Sequence, residues 1–113
     1  MLIPMPINSR QKGKANERKW ASICTNEGYP ARRGQQFRGG EDSPDVICES
    51  LPLFHFEVKA GKRPHLWDAV VQAERDMRAG QFAIAAMHKD RHPWMVAMTA
   101  DTFFRMLRGD HLC

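Results

Sequence analysis

The chain contains a six-residue stretch that alternates apolar and polar side chains, Phe54-His55-Phe56-Glu57-Val58-Lys59. A period of two predicts a β-strand, because successive side chains of an extended chain point to opposite faces of its sheet. Phe56 and Val58 then face an apolar core. Glu57 and Lys59 project together from the other face, roughly 7 Å apart. We therefore expect a strand that carries an acid and a base side by side on its exposed face.

Hydrophobic spacing predicts the remaining elements. In chain order they are a helix over 12–27, an edge strand over 29–37, strands over 46–48 and 53–60, a helix over 66–80, strands over 82–87 and 94–98, and a helix over 100–107. Gly28 follows the first helix, and Thr99 or Asp101 is available to cap the last. The strands over 46–48 and 53–60 are close enough in sequence to form a hairpin. This order predicts an α/β protein with a central mixed sheet flanked by helices. We expect one domain over 12–113 after an extended tail over 1–11.

The charge of the chain is uneven. The formal net charge is +4, from 17 Lys and Arg against 13 Asp and Glu, which suits an anionic partner. Eight of the basic residues precede residue 40: Arg10, Lys12, Lys14, Arg18, Lys19, Arg32, Arg33 and Arg38. Only Glu17 and Glu27 oppose them there, so the first third of the chain is a candidate surface for a nucleic-acid backbone. A solvated basic face without a ligand would have the same charge pattern.

The cysteines and the hydropathy exclude several classes of protein. Three cysteines without a Cys-x-x-Cys pair argue against a disulfide framework and against a structural zinc site. His88 and His92 have a spacing that occurs in zinc sites, but paired cysteines are missing. No apolar run approaches the length of a membrane span. We expect a cytoplasmic protein that does not interact with membranes.

Asp45, which follows Pro44, indicates which chemistry Glu57 and Lys59 could support. If Asp45 enters the same site as Glu57 and Lys59, two carboxylates and one ammonium surround a place for a divalent cation and an attacking water. The backbone carbonyl of Val58 would be a third oxygen ligand for Mg²⁺, for which Mn²⁺ can substitute. Lys59 would orient or deprotonate the water, or bind a phosphate. This is the chemistry of phosphodiester hydrolysis, although a solvated strand face with a surface ion pair is the simpler alternative.

Four segments resemble the PD-(D/E)xK nuclease superfamily and, within it, Holliday junction resolvases of archaeal or phage type. They are residues 12–18, residues 28–33, Pro44-Asp45 and Glu57-Val58-Lys59, and the similarity extends from Gly13 to about Leu107. The resemblance implies a restriction-endonuclease-like fold with an αβββαβ core. It also implies a metal-dependent endonuclease that cuts branched DNA, leaves a 5′-phosphate and acts as a homodimer on a four-way junction.

The resemblance also implies roles for individual residues. Glu17 on the first helix matches an acid that joins the catalytic metal site. Arg33, or alternatively Arg32, matches an arginine that contacts phosphate, and Gln72 matches a polar helix residue near the active site. Three further basic residues of the first third complete the predicted DNA-binding set: Lys12, Lys14 and Arg38. A loop serine of the archaeal pattern is not evident in residues 34–38.

Other interpretations stay open at this point. The same fold could act on flaps, single strands or duplex DNA, or could bind DNA without cutting it. Glu17 could be a helix-surface acid paired with Lys14 or Arg18. His55 shares a strand face with Glu57 and Lys59, so it is a candidate to touch substrate. Four apolar residues of the last strand and helix are candidates for a dimer surface or for the core: Met95, Met98, Phe103 and Met106.

Overall fold

The computed structural model describes residues 9–34 and 44–109. Its helices are α1 (Ser9–Asn26), α2 (Leu66–Asp76) and α3 (Ala100–Leu107). Its strands are β1 (Ala31–Arg33), β2 (Val46–Cys48), β3 (Phe54–Gly61), β4 (Phe82–Lys89) and β5 (Met95–Ala97). The order of helices and strands is the predicted one. The α/β class with a mixed sheet is therefore confirmed.

The five strands form one sheet in the order β1-β2-β3-β4-β5. Neighbouring strands are antiparallel except β3 and β4, which are parallel over eight residue pairs from Phe54 and Phe82 to Gly61 and Lys89. A parallel pair needs a long crossover connection, and α2 lies in that connection. The hairpin predicted for β2 and β3 is confirmed by their antiparallel pairing. Strand β3 is consequently the middle strand of the sheet.

The two faces of the sheet are covered by different helices. On one face Trp20 of α1 packs against Phe56 and Val58 in the main apolar core, with the Trp20 and Phe56 rings in an edge contact at 5.7 Å. On the other face α2 lies over β3 and β4 and buries Ala69 and Ala73 completely. Because alanine side chains are short, α2 can approach the sheet closely.

The expectation that Glu57 lies on an exposed strand face is wrong. Glu57 is 1% exposed and its neighbour His55 is fully buried. The physical reason is the position of β3, which has a strand on either side and a helix on each face. Alternation predicted correctly which side chains share a face, but not that α2 covers the polar one.

Several predicted element ends shift by a few residues. Helix α1 begins at Ser9, so residues 9–11, predicted as part of the tail, are helical. Helix α2 ends at Asp76, before Gly80, because Met77 is already extended. Strand β1 is three residues long, and residues 35–37 of its predicted span lie outside the described part of the chain. The N-cap of α3 is Thr99, whose hydroxyl accepts a hydrogen bond from the Thr102 N–H.

The apolar residues of the last strand and helix divide between core and surface. Met98 and Met106 pack against the main core. Met95 and Phe103 are 64% and 47% exposed. Of the four residues predicted for the core or a dimer surface, Met95 and Phe103 are therefore available for a dimer surface. Within residues 9–34 and 44–109, no helix combines the length and the apolar character that a membrane span needs.

Candidate active site

Backbone hydrogen bonds fix Asp45 immediately before β2. Its N–H donates to the Phe56 carbonyl at 2.9 Å, and its own carbonyl accepts from the Gly34 N–H at 2.8 Å. The Val58 N–H donates to the Asp45 carboxylate at 2.8 Å. A Cβ atom at Gly34 would clash with the Pro44 carbonyl oxygen, so glycine is required where β1 passes this turn. The carboxylate is therefore held against β3 by the local backbone.

Asp45 and Glu57 form a closely spaced pair of acids. Burial raises the pKa of Asp45 to about 8, and the negative charge of Glu57 contributes to this increase. The hydrogen bond from the Val58 N–H acts in the opposite direction. Glu57 Oε2 is buried and has no hydrogen-bond partner among the described residues. The sequence prediction that Asp45 and Glu57 enter one site agrees with this arrangement.

Glu57 also contacts His55, which precedes it by two residues on the same face of β3. His55 Nε2 lies 2.9 Å from Glu57 Oε1, and both side chains are buried. His55 cannot touch a substrate from this position, in contrast to the role considered from the sequence. The i, i+2 spacing on a strand was the signal that could have identified the pair.

A cleft of about 700 Å³ lies between α1, the end of β3, α2 and the end of β4. Six of the predicted site residues line it: Lys12, Glu17, Asp45, Val58, Lys59 and Gln72. Glu57 lies beside Asp45 but is not part of the cleft wall. The structure thus brings together predicted residues that are as far apart in the sequence as 12 and 72.

The remaining predicted residues lie elsewhere. Arg33 donates from Nε to Glu17 Oε2 at 2.7 Å, so these two residues form an ion pair at the border of the cleft. Arg32 and Arg33 line a separate groove of about 620 Å³ between α1 and β1. Lys14 is exposed and does not line the cleft. Arg38 lies outside the described residues.

The cleft contains four polar residues that were not assigned to the site from the sequence, namely Asn16, Lys19, His88 and Asp90. Asn16 and Lys19 follow Lys12 at i+4 and i+7 on α1, a spacing that places all three on one helix face and could have identified them. His88 stacks on Trp94 with a ring-centroid distance of 4.9 Å. Its position beside Ala60 depends on the parallel register of β3 and β4, which no local pattern reveals.

The residues fit a divalent cation in part. Within residues 9–34 and 44–109, no three His, Cys, Asp or Glu side chains gather as a metal-binding group. The Glu17 carboxylate, which the resemblance assigns to the metal site, is bound to Arg33. The acidic pair itself fits a hard cation, because Glu57 Oε2 lacks a donor and the pKa of Asp45 is raised. The Val58 carbonyl points to the same side as its N–H, which is the side of Asp45.

Comparison with known proteins gives no matching family model, no matching curated protein and no matching solved structure. A functional interpretation of the cleft therefore depends on its own geometry and charge.

Proposed function

We propose that the protein is a Mg²⁺-dependent endonuclease of the PD-(D/E)xK superfamily that cuts branched DNA, with Holliday junctions as the preferred substrate. The observation that carries this proposal is the buried acidic pair, Asp45 and Glu57, beside a cleft that also contains Lys59. The same three residues carry the sequence motif. An acid pair and a lysine beside a cleft are suited to metal-assisted phosphodiester hydrolysis.

The acidic pair is difficult to explain as a stabilising feature. Burying two carboxylates close together costs free energy, since each loses hydration and each repels the other. The raised pKa of Asp45 is the consequence of that cost. Strongly shifted acids in clefts are typical of functional sites. A protein that merely binds DNA does not require strongly shifted acids beside its phosphate-binding cleft, which argues against that alternative.

Asp45, Glu57 and the Val58 carbonyl would hold the cation. When bound, Mg²⁺ supplies Lewis acidity and lowers the pKa of a bound water. Lys59 orients the attacking water or neutralises the scissile phosphate. Lys12 and Lys19 line the same cleft, where their ammonium groups would attract the DNA backbone.

The proposed substrate requires two copies of the chain. Symmetric cleavage of a four-way junction needs two sites on opposed strands, and a homodimer provides them by two-fold symmetry. Apolar side chains that are at least half exposed occur on β5 and on α3: Met95, Val96, Phe104 and Leu107. These residues are candidates for the dimer contact.

Cleavage of a labelled four-way junction tests the proposal. The wild-type chain should cut the junction with Mg²⁺ or Mn²⁺ and not in EDTA, leaving 5′-phosphate ends. Asp45→Asn and Glu57→Gln keep the shape of each side chain, and we expect each to lower cleavage by about 100-fold or more while junction binding is retained. Asp101→Asn, on the exposed face of α3, is the matched control and should cut normally.

The substrate is tested by competition between junction, flap, single-stranded and linear duplex DNA at one fixed salt concentration. Preferential cleavage of a flap or duplex would support the nuclease activity but contradict the Holliday junction as the preferred substrate. Normal cleavage by Asp45→Asn would overturn the catalytic assignment. Binding of junctions without any cleavage by the wild-type chain would favour a DNA-binding protein.

A further inference from the structure

His55 and Glu57 form a buried polar pair in the layer between β3 and α2. His55 is fully buried and Glu57 is 1% exposed, with 2.9 Å between Nε2 and Oε1. The neighbouring strand β4 presents only alanines beside them, Ala83 opposite His55 and Ala85 opposite Glu57. Methyl groups offer no hydrogen bonds, so β4 gives neither polar side chain a partner.

The pair is poorly built as a structural interaction. His55 Nδ1 and Glu57 Oε2 are both buried without a hydrogen-bond partner among the described residues. Buried polar atoms are normally satisfied, and a buried ionic pair can usually be replaced by apolar residues of similar volume at little cost. A histidine that served only to fill this space would be less suitable than leucine. The presence of histidine at position 55 therefore needs an explanation other than packing.

We infer that His55 is a positioning residue for Glu57. When Glu57 is ionised, as cation binding requires, its oxygens only accept hydrogen bonds, and His55 donates to Oε1 from the tautomer that carries a proton on Nε2. The terminal torsion of a glutamate has a broad energy profile, and this hydrogen bond restricts it. Oε1 would thereby be occupied, and Oε2 would be available to hold the cation together with Asp45. This inference depends on the proposed function, because the cation site is the one proposed above.

The His55 imidazole would not bind the metal itself but would hold a side chain that does. Residues that hold a ligating side chain by a hydrogen bond commonly change metal affinity by 10–100-fold when they are replaced. The strand spacing sets the geometry, since residues 55 and 57 are two apart and point to the same face. Among the described residues, Nε2 of the ring contacts Glu57 and Nδ1 has no hydrogen-bond partner.

Two substitutions of His55 distinguish the effect of its hydrogen bond from the effect of its side-chain volume. His55→Gln retains an N–H donor near the position of Nε2, whereas His55→Leu has a similar size and no donor. We expect His55→Leu to weaken Mn²⁺ binding by about 10–100-fold and His55→Gln to bind within about threefold of the wild type. Mn²⁺ affinity is measured by electron paramagnetic resonance, and folding by circular dichroism and thermal unfolding in EDTA. His55→Met replaces His55→Leu if the latter does not fold.

The outcomes distinguish this inference from the proposed function. Equal Mn²⁺ affinity in wild type and His55→Leu, or equal losses in the leucine and glutamine variants, would overturn the positioning role. Equal Mn²⁺ affinity in wild type and Asp45→Asn would instead overturn the metal site. In that case the nitrogen-15 spectrum of the imidazole decides whether the hydrogen bond exists. A protonated Nε2 whose signal shifts in Glu57→Gln supports it, and an unchanged signal contradicts it.

Discussion

The two faces of β3 belong to the same eight residues and have opposite physical character. Towards α1, Phe56 and Val58 carry no polar side-chain atom and join an apolar core, in which Trp20 Nε1 is buried without a hydrogen-bond partner among the described residues. Towards α2, His55 and Glu57 are equally buried but keep two polar atoms without hydrogen bonds among the described residues. Equal burial therefore does not mean equal stabilisation. We interpret the first face as the source of stability and the second as the functional one.

The largest effect is expected on the face towards α1. Phe56→Ala should reduce the free energy of unfolding by about 3–5 kcal/mol, because it removes a buried ring and leaves a cavity. The Phe56 ring contacts both Trp20 and Phe54. Urea unfolding measures the loss. Phe103→Ala is the matched control on α3, where the ring is 47% exposed, and it should cost less than about 1 kcal/mol. Similar losses in both variants would contradict the assignment of the core.

On the face towards α2, a substitution is expected to increase the free energy of unfolding. The pKa of Asp45 is about 8 in the folded chain, against an ordinary value of 3.8. Between these values the folded state holds a proton that the unfolded state has lost, so stability decreases as the pH rises from about 4 to about 8. Without divalent cations, Asp45→Asn should therefore be more stable than wild type, by about 2 kcal/mol at pH 8.

Thermal unfolding in EDTA from pH 5 to pH 8 measures this difference. The melting temperature of Asp45→Asn should exceed that of the wild type by an amount that grows with pH and reaches about 10 °C. Titrating groups that do not interact with Asp45 act equally on both chains and cancel. Saturating Mg²⁺ should reduce the difference, because a bound cation stabilises the ionised pair. A difference that does not vary with pH would show that Asp45 keeps an ordinary pKa.

The elements of the fold were predictable because they depend on local patterns. Strand β2 and helix α3 have the predicted limits, since prolines, an N-cap threonine and clear hydrophobic spacing define them. The partners of the polar residues were less predictable. The alternation in β3 indicates that His55 and Glu57 share a face, but the alanines of α2 that cover it are more than ten residues away. The same limit applies to Arg33, whose partner Glu17 lies 16 residues earlier.

The smallest effect is expected for the ion pair of Glu17 and Arg33, which lies at the border of the cleft. Arg33→Gln should reduce stability by about 1 kcal/mol, because the pair is partly buried. The same substitution removes a positive charge and leaves the Glu17 carboxylate, whose charge already contributes to raising the pKa of Asp45. Mn²⁺ affinity should therefore increase about threefold.

Calorimetric titration of Mn²⁺ checks the change in affinity, with Arg32→Gln as the control, since Arg32 lies 3.6 Å from the exposed Glu49 and is not bound to Glu17. Glu17→Gln should lower the Mn²⁺ affinity instead. If Glu17→Gln and Arg33→Gln reduce stability equally and neither changes Mn²⁺ binding, Glu17 is a structural acid that ties α1 to β1. A lower Mn²⁺ affinity in Glu17→Gln together with a higher one in Arg33→Gln would show that the Glu17 charge acts on the cation bound by Asp45 and Glu57. Removing the acid would then weaken binding, and freeing it from Arg33 would strengthen binding.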